Sequence, residues 1–201
     1  MEFLMEVVKA VGGGIIAAVI TLAVNGRRLS KDAERAACTL SIQLTDVFER
    51  YALECAKIPS EHASNGRDNP YDYSGIVGLP LVPELPVDDA GWRALDAALA
   101  IDARTFGTRR KQSGDVINGI AEYGDAEDAE SEIEKEAAIL GDAAWRLASR
   151  FRTRYKLGVT HVEWDVPHHF EQEFARFERN MAENVAYAAE MWNSFDGVDS
   201  D

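Results

Sequence analysis

"GDAEDAESEIEKEAAILGDAAWRLASRFRTRYKLG" (Gly124–Gly158) decides the fold class. Its first turns are loaded with acid and its last turns with base, which complements the partial charges at the two ends of a helix. Ile133, Ala137, Leu140, Ala144, Leu147 and Phe151 recur at three- and four-residue steps and draw one apolar stripe along it. Gly158, between Leu157 and Val159, is expected to cap the end with a hydrophobic contact across it. A long helix with a single apolar stripe needs other helices to cover that stripe, and the neighbouring segments carry the same period.

Downstream, "VTHVEWDVP" (Val159–Pro167) reads as extended, and Pro167 restarts a helix at a position where its missing N–H costs nothing. That last helix carries Phe170, Phe174, Phe177, Met181, Val185, Ala188, Trp192 and Phe195 as a continuous stripe, with Glu171, Glu178, Glu183 and Glu190 opposite. The short connection predicts an antiparallel helix hairpin. Such a hairpin places Arg146, Arg150, Arg152 and Arg154 near Glu171, Glu173 and Glu178. Upstream, Asp88 or Asp89 is expected to cap a helix holding Trp92, Leu95, Leu99, Ala103 and Phe106. "GTRRKQSGD" (Gly107–Asp115) interrupts it, and Ser113 starts a short segment with Val116, Ile120 and Tyr123 that Gly124 closes.

Residues 59–91 hold five of the six prolines, together with apolar residues such as Tyr71, Ile76, Val77, Leu79 and Leu85. Proline disfavours helix interiors, and the apolar content suits a crossover lying on the helices. Before it, Leu40, Leu44, Val47, Phe48, Tyr51 and Cys55 give an amphipathic helix ending at Ile58-Pro59, with a possible kink at Asn25-Gly26. The expected architecture is therefore all-α: a transmembrane anchor over 1–26, an amphipathic helix continuing from it over 27–58, and a proline-rich ordered crossover over 59–91. A helical domain over 92–195 and a disordered acidic tail over 196–201 complete it.

The anchor rests on "VGGGIIAAVITLAVNGRR" (Val11–Arg28). Its uncharged run spans about 21 Å as a helix, too short for a hydrocarbon layer of roughly 30 Å. Extension over residues 3–24 gives about 33 Å and includes Glu6 and Lys9 near the outer end. Gly13 with Ala17, and Gly14 with Ala18, have the small-xxx-small spacing that lets helices meet closely in lipid, so a homo-oligomer through these residues is expected. Arg27, Arg28, Lys31 and Arg35 follow the apolar run and place the C-terminal bulk in the cytoplasm by the positive-inside rule. Two alternatives stay open: a buried or oligomerising soluble helix, and a cleaved signal on an exported soluble protein. Glu2 and Glu6 suit a signal poorly.

The formal charge of −14 argues against non-specific attraction to nucleic acid. Cys38 and Cys55 lie on one helix, roughly 25 Å apart, beyond disulfide reach. For chemistry the sharpest candidates are His161, His168 and His169 with Glu171 and Glu173, since imidazole and carboxylate are zinc and iron ligands and His169 and Glu173 share a helix face. This set carries the alternative reading of a metal-dependent hydrolase. H-E-x-x-H is absent, however, and adjacent histidines point in different directions. Glu130, Glu132, Glu134 and Glu136 read as a solvated face. "TRRKQSG" (Thr108–Gly114) lacks the order of a phosphate-binding loop, and no cofactor is expected. The leading expectation is a non-enzymatic interaction or scaffold module.

"WRALDAALA" (Trp92–Ala100), "LGDAAWRLASRFRTRYKLG" (Leu140–Gly158) and "LPLVPELP" (Leu79–Pro86) resemble an uncharacterised family of small bacterial proteins with an N-terminal membrane segment. The resemblance covers roughly the N-terminal four-fifths of the chain, implies an anchored helical domain of unknown role and supplies no functional residues; with the flanking charges, the expected location is the bacterial inner membrane, single-pass.

Overall fold

The computed structural model describes the backbone of residues 2–65, 76–159 and 164–196, and the side chains of residues 28–64, 76–159 and 164–192. The described elements are all helical: α1 (Glu2–Asn65), α2 (Asp89–Ala94), α3 (Ala97–Tyr123), α4 (Ala126–Tyr155) and α5 (Val166–Asp196).

α1 is one helix through Asn25-Gly26 and through Pro59, not a helix that kinks at the first and ends at the second. A proline inside a helix costs about 3 kcal/mol by removing a hydrogen bond and crowding the preceding turn. Here the turn beyond it is held from outside, because Ile58 and His62 are both buried. Ser60 and Ser64 also donate to the carbonyls of Lys57 and Ser60, so hydroxyls add bonds where the ladder is weakened. The extended crossover correspondingly starts later than residue 59. Its described part, 76–88, is tied down by Arg110, which donates to the carbonyls of Pro80 (2.9 Å) and Leu79 (3.0 Å), and by the Trp92 indole, which donates to Pro86 (2.9 Å).

The helix expected after Asp88 is two helices. Asp88 caps α2, Leu95 turns extended, and Asp96 caps α3 by accepting from the amides of Ala98 and Leu99. α3 then runs unbroken through Gly107 and Gly114, with Ser113 buried inside it and not starting a new segment. With Gly119 the helix holds three glycines, each costing about 1 kcal/mol. Burial of Leu99, Ala103, Phe106 and Ile117 along one stripe outweighs that cost. Asp125 caps α4. Its other end is closed by Lys156 in the left-handed conformation (φ 53°), where Gly158 was expected, and Leu157 N–H donates to the Arg152 carbonyl (3.0 Å).

The core is centred on α1 and α4. Leu40, Leu44, Phe48, Cys55 and Ile58 of α1 meet Ala137, Leu140, Ala144, Leu147 and Phe151 of α4, and α3 adds Leu99 and Phe106. Phe48 sits between Phe106 (5.2 Å, edge-on) and Phe151 (6.5 Å, stacked). Asp165, just before α5, accepts from the His168 amide, and α5 runs back along α4: Phe170 lies against Gly141 and Arg176 against Glu134. The arginines of α4 do not reach the α5 glutamates. Arg146 pairs with Asp142, Arg150 with Asp102, Arg152 with Glu49 and Arg154 with Asp96, because the C-terminal half of α4 faces α1 and α3.

Beyond Phe177, α5 borders α4 along an open groove shared with Ser131, Lys135 and Ile139, and residues 178–192 are exposed, including Met181 (64%), Val185 (65%) and Trp192 (73%), so its apolar stripe is covered only over its first turns. Among the described residues no helix is long and apolar enough to cross a membrane. The span expected over 3–24, with Gly13, Gly14, Ala17 and Ala18, lies outside the described side chains, and most of the acidic tail lies outside the described residues.

Candidate functional site

The last turn of α1, the first turns of α4, the start of the crossover and α5 converge on one polar cluster. His62 is delivered by the helical turn that continues past Pro59, and its side chain is only 1% exposed. Its Nδ1 lies 3.1 Å from Glu134 Oε1 and 3.6 Å from Glu130 Oε1. Glu130 and Glu134 are one helical turn apart on α4, which puts both carboxylates on the same face. The other oxygen of Glu134 accepts from the Arg176 guanidinium (2.6 Å), which is also 2.6 Å from Glu173.

The Val77 peptide orients the ring. Nε2 is 2.9 Å from the Val77 carbonyl and 3.1 Å from the Val77 amide nitrogen. A protonated Nε2 donates to the carbonyl; an unprotonated Nε2 accepts from the amide. The ring is therefore satisfied as imidazole or imidazolium, and in both cases Nδ1 is aimed at the carboxylates. Burial pulls the His62 pKa down, but bonds to Glu134 and Val77 and the charges of Glu130 and Glu134 outweigh it and leave it raised above 6.5. Burial likewise pushes Glu134 up, and His62 and Arg176 overcome it, so its pKa is lowered below 4.5.

These directions fix a stability window. The raised His62 contributes stability that is fully present below its unfolded pKa and is lost as pH rises through its folded pKa. The lowered Glu134 contributes stability present above its unfolded pKa and lost as pH falls through its folded one. In chelator-containing buffer, the melting temperature of the wild type relative to His62→Gln is expected to be highest between pH 4.5 and 6.5 and to narrow on the alkaline side. A pH-independent difference between the two would contradict the cluster's ionisation.

The residues singled out from sequence are dispersed. His161 lies outside the described residues. His168 is exposed and bonds Gln172 (2.9 Å), 3.7 Å from Glu171. His169 packs edge-on between Trp164 (5.0 Å) and Phe170 (5.5 Å), and its Nε2 is buried with no partner among the described residues. Of that set only Glu173 reaches the cluster, through Arg176. His62, Glu130 and Glu134 are the sole group of three metal-ligand atoms brought together among the described residues. Glu130 and Glu134 thus face His62, contrary to the solvated-face reading, while Glu132 pairs with Lys135 and is itself half-buried. The four-residue spacing of the two glutamates was a visible signal. His62 was hidden by the reading of Pro59 as a helix end.

The chain matches no family model, no curated protein and no solved structure.

Proposed function

We propose that the protein is a membrane-tethered helical scaffold, anchored through residues 3–24 in a single pass with its bundle in the cytoplasm, and that it self-associates through the outer half of α5. The exposed stripe of α5 carries this reading. Phe177, Met181, Val185, Ala188 and Trp192 continue the period that packs Phe170 and Phe174 into the body, but Met181, Val185 and Trp192 are left in water. Isolated helices gain little in water from propensity alone and are stabilised mainly by covering an apolar face. The occupant that fits best is a second copy of the chain. From Phe177 to Trp192, Arg179, Glu183 and Glu190 lie opposite the stripe, while Glu178, next to Phe177, borders it and does not lie opposite as expected, so two copies can meet without burying like charges. A tether that confines copies to one surface raises their effective concentration.

The hydrolase alternative on His161, His168, His169 and Glu173 is less favoured, since the described members form no three-ligand group. The test uses two differently tagged full-length copies expressed together. The expected result is that both partition with membranes and co-purify after detergent extraction, and that Met181→Asp with Val185→Asp abolishes co-purification but not membrane partition. Soluble full-length protein removes the tether. Copies that never co-purify remove the self-association.

A further inference from the structure

We propose that His62, Glu130 and Glu134 form a binding site for a divalent transition-metal cation of the zinc type. The proposal does not depend on the scaffold reading and rests on four observations. First, the donor set is one imidazole nitrogen and two carboxylates, a mixture that suits Zn²⁺, Mn²⁺ or Fe²⁺ and is poor for Ca²⁺ or Mg²⁺, which prefer oxygen alone.

Second, the geometry is close to ready. The donor atoms of the three residues lie within 4.8 Å of one another, and Nδ1 is 3.1 Å and 3.6 Å from the two carboxylate oxygens. Ligands at 2.0–2.2 Å around a tetrahedral ion sit about 3.4 Å apart, so small side-chain rotations suffice.

Third, the outer contacts are those a metal-bound histidine needs. Nε2 can donate to the Val77 carbonyl, which fixes the tautomer that leaves the Nδ1 lone pair facing the carboxylates. Glu134 offers Oε1 toward His62 while Arg176 holds Oε2, so the guanidinium orients the ligand without occupying the metal's oxygen.

Fourth, charge is unbalanced. Among the described residues Glu130, Glu134 and Glu173 face one arginine and one histidine, so acid outnumbers base in the cluster, and a divalent ion that displaces the imidazole's proton offsets the excess. Glu130, a third exposed, opens the site to solvent on one side and gives an entry path.

The experiment titrates ZnCl₂ into the full-length chain in detergent micelles after chelator treatment, followed by calorimetry and by metal analysis after desalting, with Co²⁺ absorption reporting the ligand field. The expected outcome is one ion per chain. Glu130→Gln is expected to weaken it at least about tenfold, and His62→Gln to abolish it. His168→Ala and His169→Ala are expected to leave it unchanged. Because His62 is buried and its loss can unfold the last turn of α1, Glu130→Gln is the deciding variant: it keeps shape and removes one charged ligand at the exposed edge. An absence of zinc binding by the wild type, an affinity unmoved by Glu130→Gln, or loss of binding in the His168 or His169 variants alone overturns the proposal and leaves the cluster as an ion-pair network joining three helices.

Discussion

Replacement of Phe48 by alanine is expected to destabilise the protein by about 3–5 kcal/mol. Phe48 is wholly buried, on α1, and touches the aromatic rings of both α3 and α4. Its removal takes away transfer energy and leaves a cavity that three helices cannot close together, since each is pinned by other contacts. Arg110 holds α3 to the crossover, Arg152 makes two bonds to Glu49 of α1, and the Tyr155 hydroxyl accepts from the Asp96 amide. Urea unfolding followed by circular dichroism measures the loss. Ile42→Ala on the same helix, at a site 54% exposed, is the control and should stay within about 0.5 kcal/mol. Equal losses at the two positions would contradict the core as described.

Gly141→Val is the second large effect. A Cβ at this position would overlap the Phe170 ring and lie 2.9 Å from the Cβ of Cys55, both below any ordinary contact. Helix propensity alone favours replacing a helical glycine, by about 1 kcal/mol for alanine. Overpacking runs the other way, at about 1–3 kcal/mol, and valine adds two methyl groups to the clash. Steric conflict therefore wins, because Phe170 is itself buried and has no free direction in which to swing. The expected net loss is roughly 3 kcal/mol. The mechanism makes a sharper demand: in Gly141→Val with Phe170→Ala the two losses should sum to less than their separate values, since the smaller side chain vacates the space the larger one needs. Strict additivity would point to a backbone effect instead.

The helical stripes were legible because burial dictates them. Ile133 to Phe151 on α4 and Leu40 to Cys55 on α1 are buried in the order the period gives. Local punctuation was less reliable. Pro59, Gly107 and Gly114 each argue for a break, and in each case a buried stripe crosses the position and holds the helix together. Conversely, the break at Leu95 has no strong local mark and follows from Asp96 capping a new helix while its amide bonds Tyr155, fifty-nine residues away. The polar cluster was illegible for the same reason. Two of its members, Glu130 and Glu134, sit in an acid-rich run with Glu127, Glu132 and Glu136, and only the arrival of His62 from a distant helix separates them. The apolar stripe of α5 was legible and its exposure beyond Phe177 was not, because periodicity reports that a face is apolar and not what covers it.

The continuity of α1 has a mechanical corollary. Residues 28–35 are exposed and bridge, as unbroken helix, the leading segment to the turns gripped by α2 and α4. With about 100° of rotation per residue, such a shaft gears one end to the other: twisting or sliding the leading segment cannot be absorbed by a hinge and is handed to the bundle as torque.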